Sequence, residues 1–106
     1  MSSRLDLLLK LHAESPLDDF TLFALAKEYE GLGEPVVALS YYEKLTDTHP
    51  GYVGTYYHFG KLLEQLERPS DALEIYQKGI ETAQNTGDLH AAGELRGAKM
   101  NLEMEL

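Results

Sequence analysis

Cysteine is absent from these 106 residues, so neither disulfides nor thiolate chemistry belong to the molecule. Long apolar runs are absent as well: nothing approaches the roughly 18 residues that a membrane-spanning helix needs. The opening MSSRLDLLLK breaks its leucine run with charge and lacks a small-residue cleavage site. A secretory signal is therefore not expected, and a cytoplasmic location is. Basic residues are scarce. Nine Lys and Arg stand against 18 Asp and Glu, for a net charge of −9. Such a surface repels phosphate backbones and anionic lipid, so neither nucleic acid nor membrane is an expected partner. The acid either keeps a small protein soluble or meets a basic protein.

The constellations that carry chemistry are missing too. His12, His49, His58 and His90 are scattered, with no ligand-like pair at helical spacing. There is no glycine-rich phosphate loop and no serine in a nucleophile-elbow context. No enzyme activity, metal or cofactor is expected.

What is present is an echo. Displaced by 34 residues, segment 16–49 falls on segment 50–83 with Pro16, Thr21, Lys27, Glu30 and Leu32 meeting identical residues. Pro35, Ala38, Leu39, Tyr42, Lys44 and Thr48 do so as well, making 11 identities in 34 positions. A period of this length is the mark of a stacked repeat.

Within each copy the apolar spacing is helical. Ser15-Pro16 opens a helix to about residue 32, where Gly31 and Gly33 stop it, and Glu34-Pro35 opens the next. The second copy predicts helices over 52–66 and from Pro69 to Asn85, with Gly87 as a C-terminal cap and Asp88 capping a last helix to Glu105. Residues 3–14 match the second helix of a repeat, Leu5 to Leu39 and Leu11 to Leu45, with Arg4 where the copies have Ala38 and Ala72. The connections are two to four residues long, as antiparallel helical hairpins require. The expected fold is all-α: about six helices in antiparallel hairpins, stacked as a short right-handed α-solenoid. One domain is expected, divided into a half repeat (1–15), two repeats (16–49 and 50–86) and a capping helix (87–106). In that last helix Ala91, Leu95, Ala98, Leu102 and Leu106 share a stripe.

The buried positions resemble the tetratricopeptide pattern W-x2-L-G-x2-Y, A-x3-F, P. The first copy reads Leu22, Leu25-Ala26, Tyr29, Ala38, Tyr42, Pro50; the second reads Tyr56, Phe59-Gly60, Leu63, Ala72, Tyr76, with Gln84 in place of proline. Ala26, Gly60, Ala38 and Ala72 are small where the helices of a hairpin should approach closely. Tyr29, Tyr42, Tyr56 and Tyr76 are expected to fill the gaps between hairpins.

The resemblance implies a concave groove lined by the first helix of each hairpin, gripping a short peptide or single helix of another protein. Once core positions are removed, Phe20, Phe23, Lys27 and Glu30 remain on one such helix, and Tyr57, Lys61 and Glu64 on the other. His58, opposite Ala24 in the first copy, joins them as a point of difference between the copies. Phe20 and Phe23 could equally pack on the helix of residues 3–14, and Lys27/Glu30 and Lys61/Glu64 could be plain surface ion pairs. Members of the family that hold a chaperone's acidic tail use a clamp of lysine, asparagine and arginine. The corresponding positions here are Phe23, Lys27, His58, Asp88 and Ala92, of which only Lys27 is a cation, so an acidic tail is disfavoured. Gly93 and Gly97 suggest a close helix neighbour, either the helix of residues 69–85 or, in a homodimer, a second copy's last helix.

Overall fold

The computed structural model describes residues 3–106, of which Met1 and Ser2, the start of the expected half repeat, are not part. It is all-α, a helical-hairpin repeat fold, with six helices and no strand among the described residues. They are α1 (Ser3–Glu14), α2 (Asp19–Gly31), α3 (Pro35–Thr48), α4 (Gly54–Gln65), α5 (Pro69–Thr86) and α6 (Leu89–Glu105). Contacts divide the chain into two compact units, Met1–His49 and Pro50–Leu106.

In the first unit, α2 and α3 form a hairpin around Leu22, Leu25, Ala26, Ala38, Tyr42 and Leu45, all fully buried. Helix α1 adds Leu8, which packs on Ala24 and Leu25 beside Leu5, Tyr29 and Tyr41. Tyr41 stacks on Tyr29 at 5.7 Å between ring centroids, and His12 meets Tyr41 edge-on, also at 5.7 Å. Arg4 reaches α2, its Nε 3.0 Å from a Glu28 carboxylate oxygen. Helix α2 starts later than the Ser15-Pro16 signal predicts. Residues 16 and 17 form a turn, and Asp18 is the cap, accepting the Thr21 backbone N–H and hydroxyl. Those bonds, side-chain first, hold the Asp18 carboxyl below the usual carboxylate range.

The second unit repeats the hairpin with α4 and α5 and adds α6 against both. Its core is Tyr56, Phe59, Leu62, Leu63, Ala72, Tyr76, Ile80, Ala83, Ala92, Leu95, Ala98 and Leu102. The stripe expected of α6 holds at Leu95, Ala98 and Leu102. Ala92 rather than Ala91 is the buried alanine, and Leu106 is exposed.

Tyr42 and Tyr76 are fully buried, and each reaches across its own hairpin to the first helix. A Cβ on Gly60 would fall within the Tyr76 ring, so glycine there makes room for an aromatic of the opposing helix. Gly79 does the same for Tyr56 and Leu95: a Cβ there would lie 2.5 Å from the Tyr56 Cβ and 2.9 Å from a Leu95 methyl carbon. Gly93 and Gly97 behave in the opposite way. Nothing lies within 4 Å of where their Cβ atoms would be, so neither is pressed by α5 as expected.

Candidate functional site

The outward stripe of α2 carries Phe20, Phe23, Lys27 and Glu30. Phe20 is 63% exposed, so it finds no packing place on α1. Phe23 is half-buried and meets Tyr42 edge-on at 6.3 Å. Lys27 Nζ lies 3.7 Å from Glu30, an i,i+3 pair. In the second unit the pair recurs as Lys61 and Glu64, at 3.9 Å. Lys61 also lies over the Tyr57 ring, 5.6 Å from its centroid, and His58 meets that ring edge-on.

The two glutamates have a second task that ion pairing does not reveal. The Tyr42 hydroxyl donates to Glu30 Oε2, and the Tyr76 hydroxyl to Glu64 Oε2. Each carboxylate therefore ties the first helix of its hairpin to the second. Burial, then the hydrogen bond to the carboxylate, then its charge push both tyrosine hydroxyls far above the ordinary tyrosine range. A signal was available: both members of the tie recur at the repeat offset. Neither side chain alone indicates a bond across the hairpin.

Between α4 and α6 lies a cavity of about 270 Å³, lined by Val53, Gly54, Tyr57 and His58 on one side and Ala91, Glu94 and Leu95 on the other. The structure thus brings Tyr57 and His58 together at one concavity. Lys61 adjoins through its contact with Tyr57, while Glu64 is drawn inward by Tyr76. The α6 lining was missed in the sequence because it does not follow the 34-residue offset. Offset by 36, Tyr56, Phe59 and Leu62 fall on Ala92, Leu95 and Ala98, and all six are buried. The caps agree. Asp88 accepts the Ala91 N–H as Asp18 accepts that of Thr21; Tyr52 stands at the intervening repeat position, one residue before Val53, the cap of α4. Helix α6 is therefore built as a third first helix. The clamp positions on it become His90 and Glu94 instead of Asp88 and Ala92, and the two side chains lie 3.5 Å apart. An acid at that position opposes a carboxylate ligand.

Among the described residues no three of His, Asp or Glu gather as a metal site would require. No helix is long and apolar enough to cross a membrane.

Comparison with known proteins found no matching family model and no match among curated proteins. Solved structures do match. A tetratricopeptide repeat domain protein from Salinibacter ruber, solved by NMR, is 45% identical with a TM-score of 0.81, covering 84% of this chain and 90% of that one. The first TPR of Spaghetti (RPAP3), bound to the HSP90 peptide SRMEEVD, is 22% identical with a TM-score of 0.74, covering 93% of this chain and 77% of that one. The Sgt2 TPR domain from Aspergillus fumigatus is 20% identical with a TM-score of 0.72, covering 94% and 68%. The hairpins, the small residues that seat tyrosines and the 45% identity have one meaning: the chain belongs to the tetratricopeptide repeat family.

Proposed function

We propose that the chain is a protein-interaction module that takes a short peptide or a single helix of a partner on the outward faces of its first helices. The observation that carries this reading is the cavity between α4 and α6. It combines an apolar floor, Leu95 and Ala91, with an aromatic wall, Tyr57, and convergent polar groups, His58 and Glu94. At about 270 Å³ it admits one apolar side chain of a ligand. A basic residue beside that anchor meets Glu94 and the field of a chain with net charge −9. On α2 the corresponding residues are Phe20, Phe23, Lys27 and Glu30; on α4 they are Tyr57, Lys61 and Glu64. The HSP90 peptide bound by RPAP3 is acidic, and His90 and Glu94 argue against a ligand of that charge here.

The test is selection from a phage-displayed random peptide library, followed by titration of the selected peptides into isotope-labelled protein. Selected sequences should pair an apolar residue with lysine or arginine and shift the resonances of Tyr57, His58 and Leu95. Ala91→Trp, which fills the cavity from its rim, should abolish that binding while the helical spectrum persists. Equal binding by Ala91→Trp removes the cavity from the reading.

A further inference from the structure

Gly54 lines the cavity between α4 and α6, yet neither its backbone nor its packing requires glycine there. Among the described residues Gly33 and Gly87 are the glycines that take positive φ, so left-handed conformation is not the reason. A Cβ at Gly54 would meet the Tyr52 ring at 3.5 Å, an ordinary contact, whereas at Gly60 and Gly79 it would collide. Glycine in a helix costs more backbone entropy than alanine, so a glycine with neither need is a net loss to the fold.

The repeat shows where the missing side chain would point. Offsets of 34 and 36 place Gly54 on Phe20 of α2 and His90 of α6. Phe20 is 63% exposed and the His90 side chain 88%, so this position tolerates a large group and directs it outward. On α4, outward means the cavity: Gly54 lines it together with Tyr57 and His58, three and four residues on and so on the same face of the helix. The Tyr57 wall is held by its neighbours. Lys61 lies over the ring at 5.6 Å, and His58 meets it edge-on at 5.6 Å. An apolar cavity of about 150 Å³ holds a benzene ring. The cavity here, about 270 Å³, takes one such ring with the carbon that attaches it to a peptide, and not two. A phenylalanine at position 54, as in the first copy, would fill that space itself.

We infer that Gly54 is the specificity-determining residue of this cavity: by withholding a side chain it admits an aromatic side chain of the peptide against Tyr57 and Leu95. The inference rests on the reading of the cavity as a peptide site and adds the chemical class of its anchor. Aromatic rings gain from packing on one another beyond the area they bury, and a glycine lets the incoming ring approach the α4 backbone closely.

The probes are four capped tripeptides, acetyl-Lys-Xaa-Lys-amide, with tryptophan, phenylalanine, valine or alanine at the central position. Each is titrated into the isotope-labelled full chain, and the resonances of Tyr57, His58 and Leu95 report binding. On the native chain the tryptophan and phenylalanine peptides should bind about tenfold or more tightly than the alanine peptide. Gly54→Phe should bring all four peptides to the affinity of the alanine peptide while the helical spectrum persists. Gly54→Ala, whose added carbon collides with nothing, should weaken the two aromatic peptides severalfold and leave the alanine peptide unchanged. It decides the matter if Gly54→Phe does not fold. Binding to the native chain without preference for an aromatic centre overturns the inference and leaves the cavity reading in place. So does an aromatic preference that persists undiminished in the variants. Absence of shifts at Tyr57, His58 and Leu95 with every tripeptide overturns both.

Discussion

Glycine-to-alanine substitution should divide the helical glycines into two classes of opposite sign. In an open helix interior alanine is worth about 0.8–1.0 kcal/mol over glycine. Gly93 and Gly97 have nothing within 4 Å of the added carbon, so each should return that full amount, about 2 kcal/mol for the pair. For a domain of this size that is a rise in melting temperature on the order of 8–16 °C. At Gly60 the same propensity gain is opposed by a collision with the Tyr76 ring. That ring is fully buried and held at its hydroxyl by Glu64, so it cannot swing aside. Overpacking of that kind costs about 3 kcal/mol, the upper end of its usual range, and leaves a net loss of about 2. Gly79→Ala should also be destabilising, because the carbon it meets first is the Tyr56 Cβ, fixed to the α4 backbone. Chemical denaturation followed by circular dichroism, one variant at a time, reads the sign directly. A gain at Gly60 or Gly79, or a loss at Gly93 and Gly97, would refute the packing described for both hairpin helices and α6.

Other perturbations follow from the differences between the copies. Thr55 is buried with its hydroxyl unpaired, while Thr21 has Asp18; Tyr52→Asp, at the position matching Asp18, should supply an acceptor for that hydroxyl and stabilise by about 1 kcal/mol, and calorimetry checks it. Without that aspartate, Thr55→Val should be neutral or stabilising, whereas Thr21→Val should weaken the fold by about 1 kcal/mol, read from urea midpoints. Glu67 sits at φ 57 where the first copy has Gly33 at φ 74, so Glu67→Gly should raise stability slightly, by about 0.5 kcal/mol in the same assay. Because folding raises the Tyr42 and Tyr76 pKa values, their contribution is complete below the unfolded tyrosine value of about 10 and declines as pH rises through the folded values. Urea midpoints should therefore hold up to about pH 10 and fall above it, and the Tyr42→Phe, Tyr76→Phe double variant should flatten that fall.

How much of this was legible in the sequence depends on which residues recur. The repeat, the six helices and the small-residue positions were readable because Ala38, Tyr42, Pro35 and their partners occur twice, and duplication separates packing positions from chance. The glycine at position 87 was equally readable, since it takes the left-handed conformation, φ 78, that closes α5. Ser15-Pro16 misled because two start signals stand close together and the stronger acceptor, Asp18, wins the free N–H groups. At Gly93 and Gly97 the α5 neighbour expected from their spacing is not there, because glycine in a helix marks close approach only when something approaches, and spacing cannot say what.

The α6 half of the candidate site was hidden by two residues. Helix α5 runs to Thr86, four residues longer than α3, and the first-helix pattern resumes 36 positions after α4 instead of 34. At the wrong offset α6 shares nothing with the repeat and looks like a detached cap, with Asp88 and Ala92 at the ligand positions. At the right one, Asp88 is the cap alone, as the sequence predicts, Glu94 enters the cavity beside His58, and Arg96, Lys99 and Glu103 line the groove beside α5. One shift in register thus places Glu94 toward the cavity shared with α4, and Arg96, Lys99 and Glu103 toward the groove shared with α5. Arg96→Ala should consequently leave peptides selected on the α4/α6 cavity bound as before, and Glu94→Ala should weaken them about tenfold, a 1.4 kcal/mol effect in calorimetric titration. Equal losses in the two variants would mean that α6 offers a single electrostatic surface, and the separation would fail.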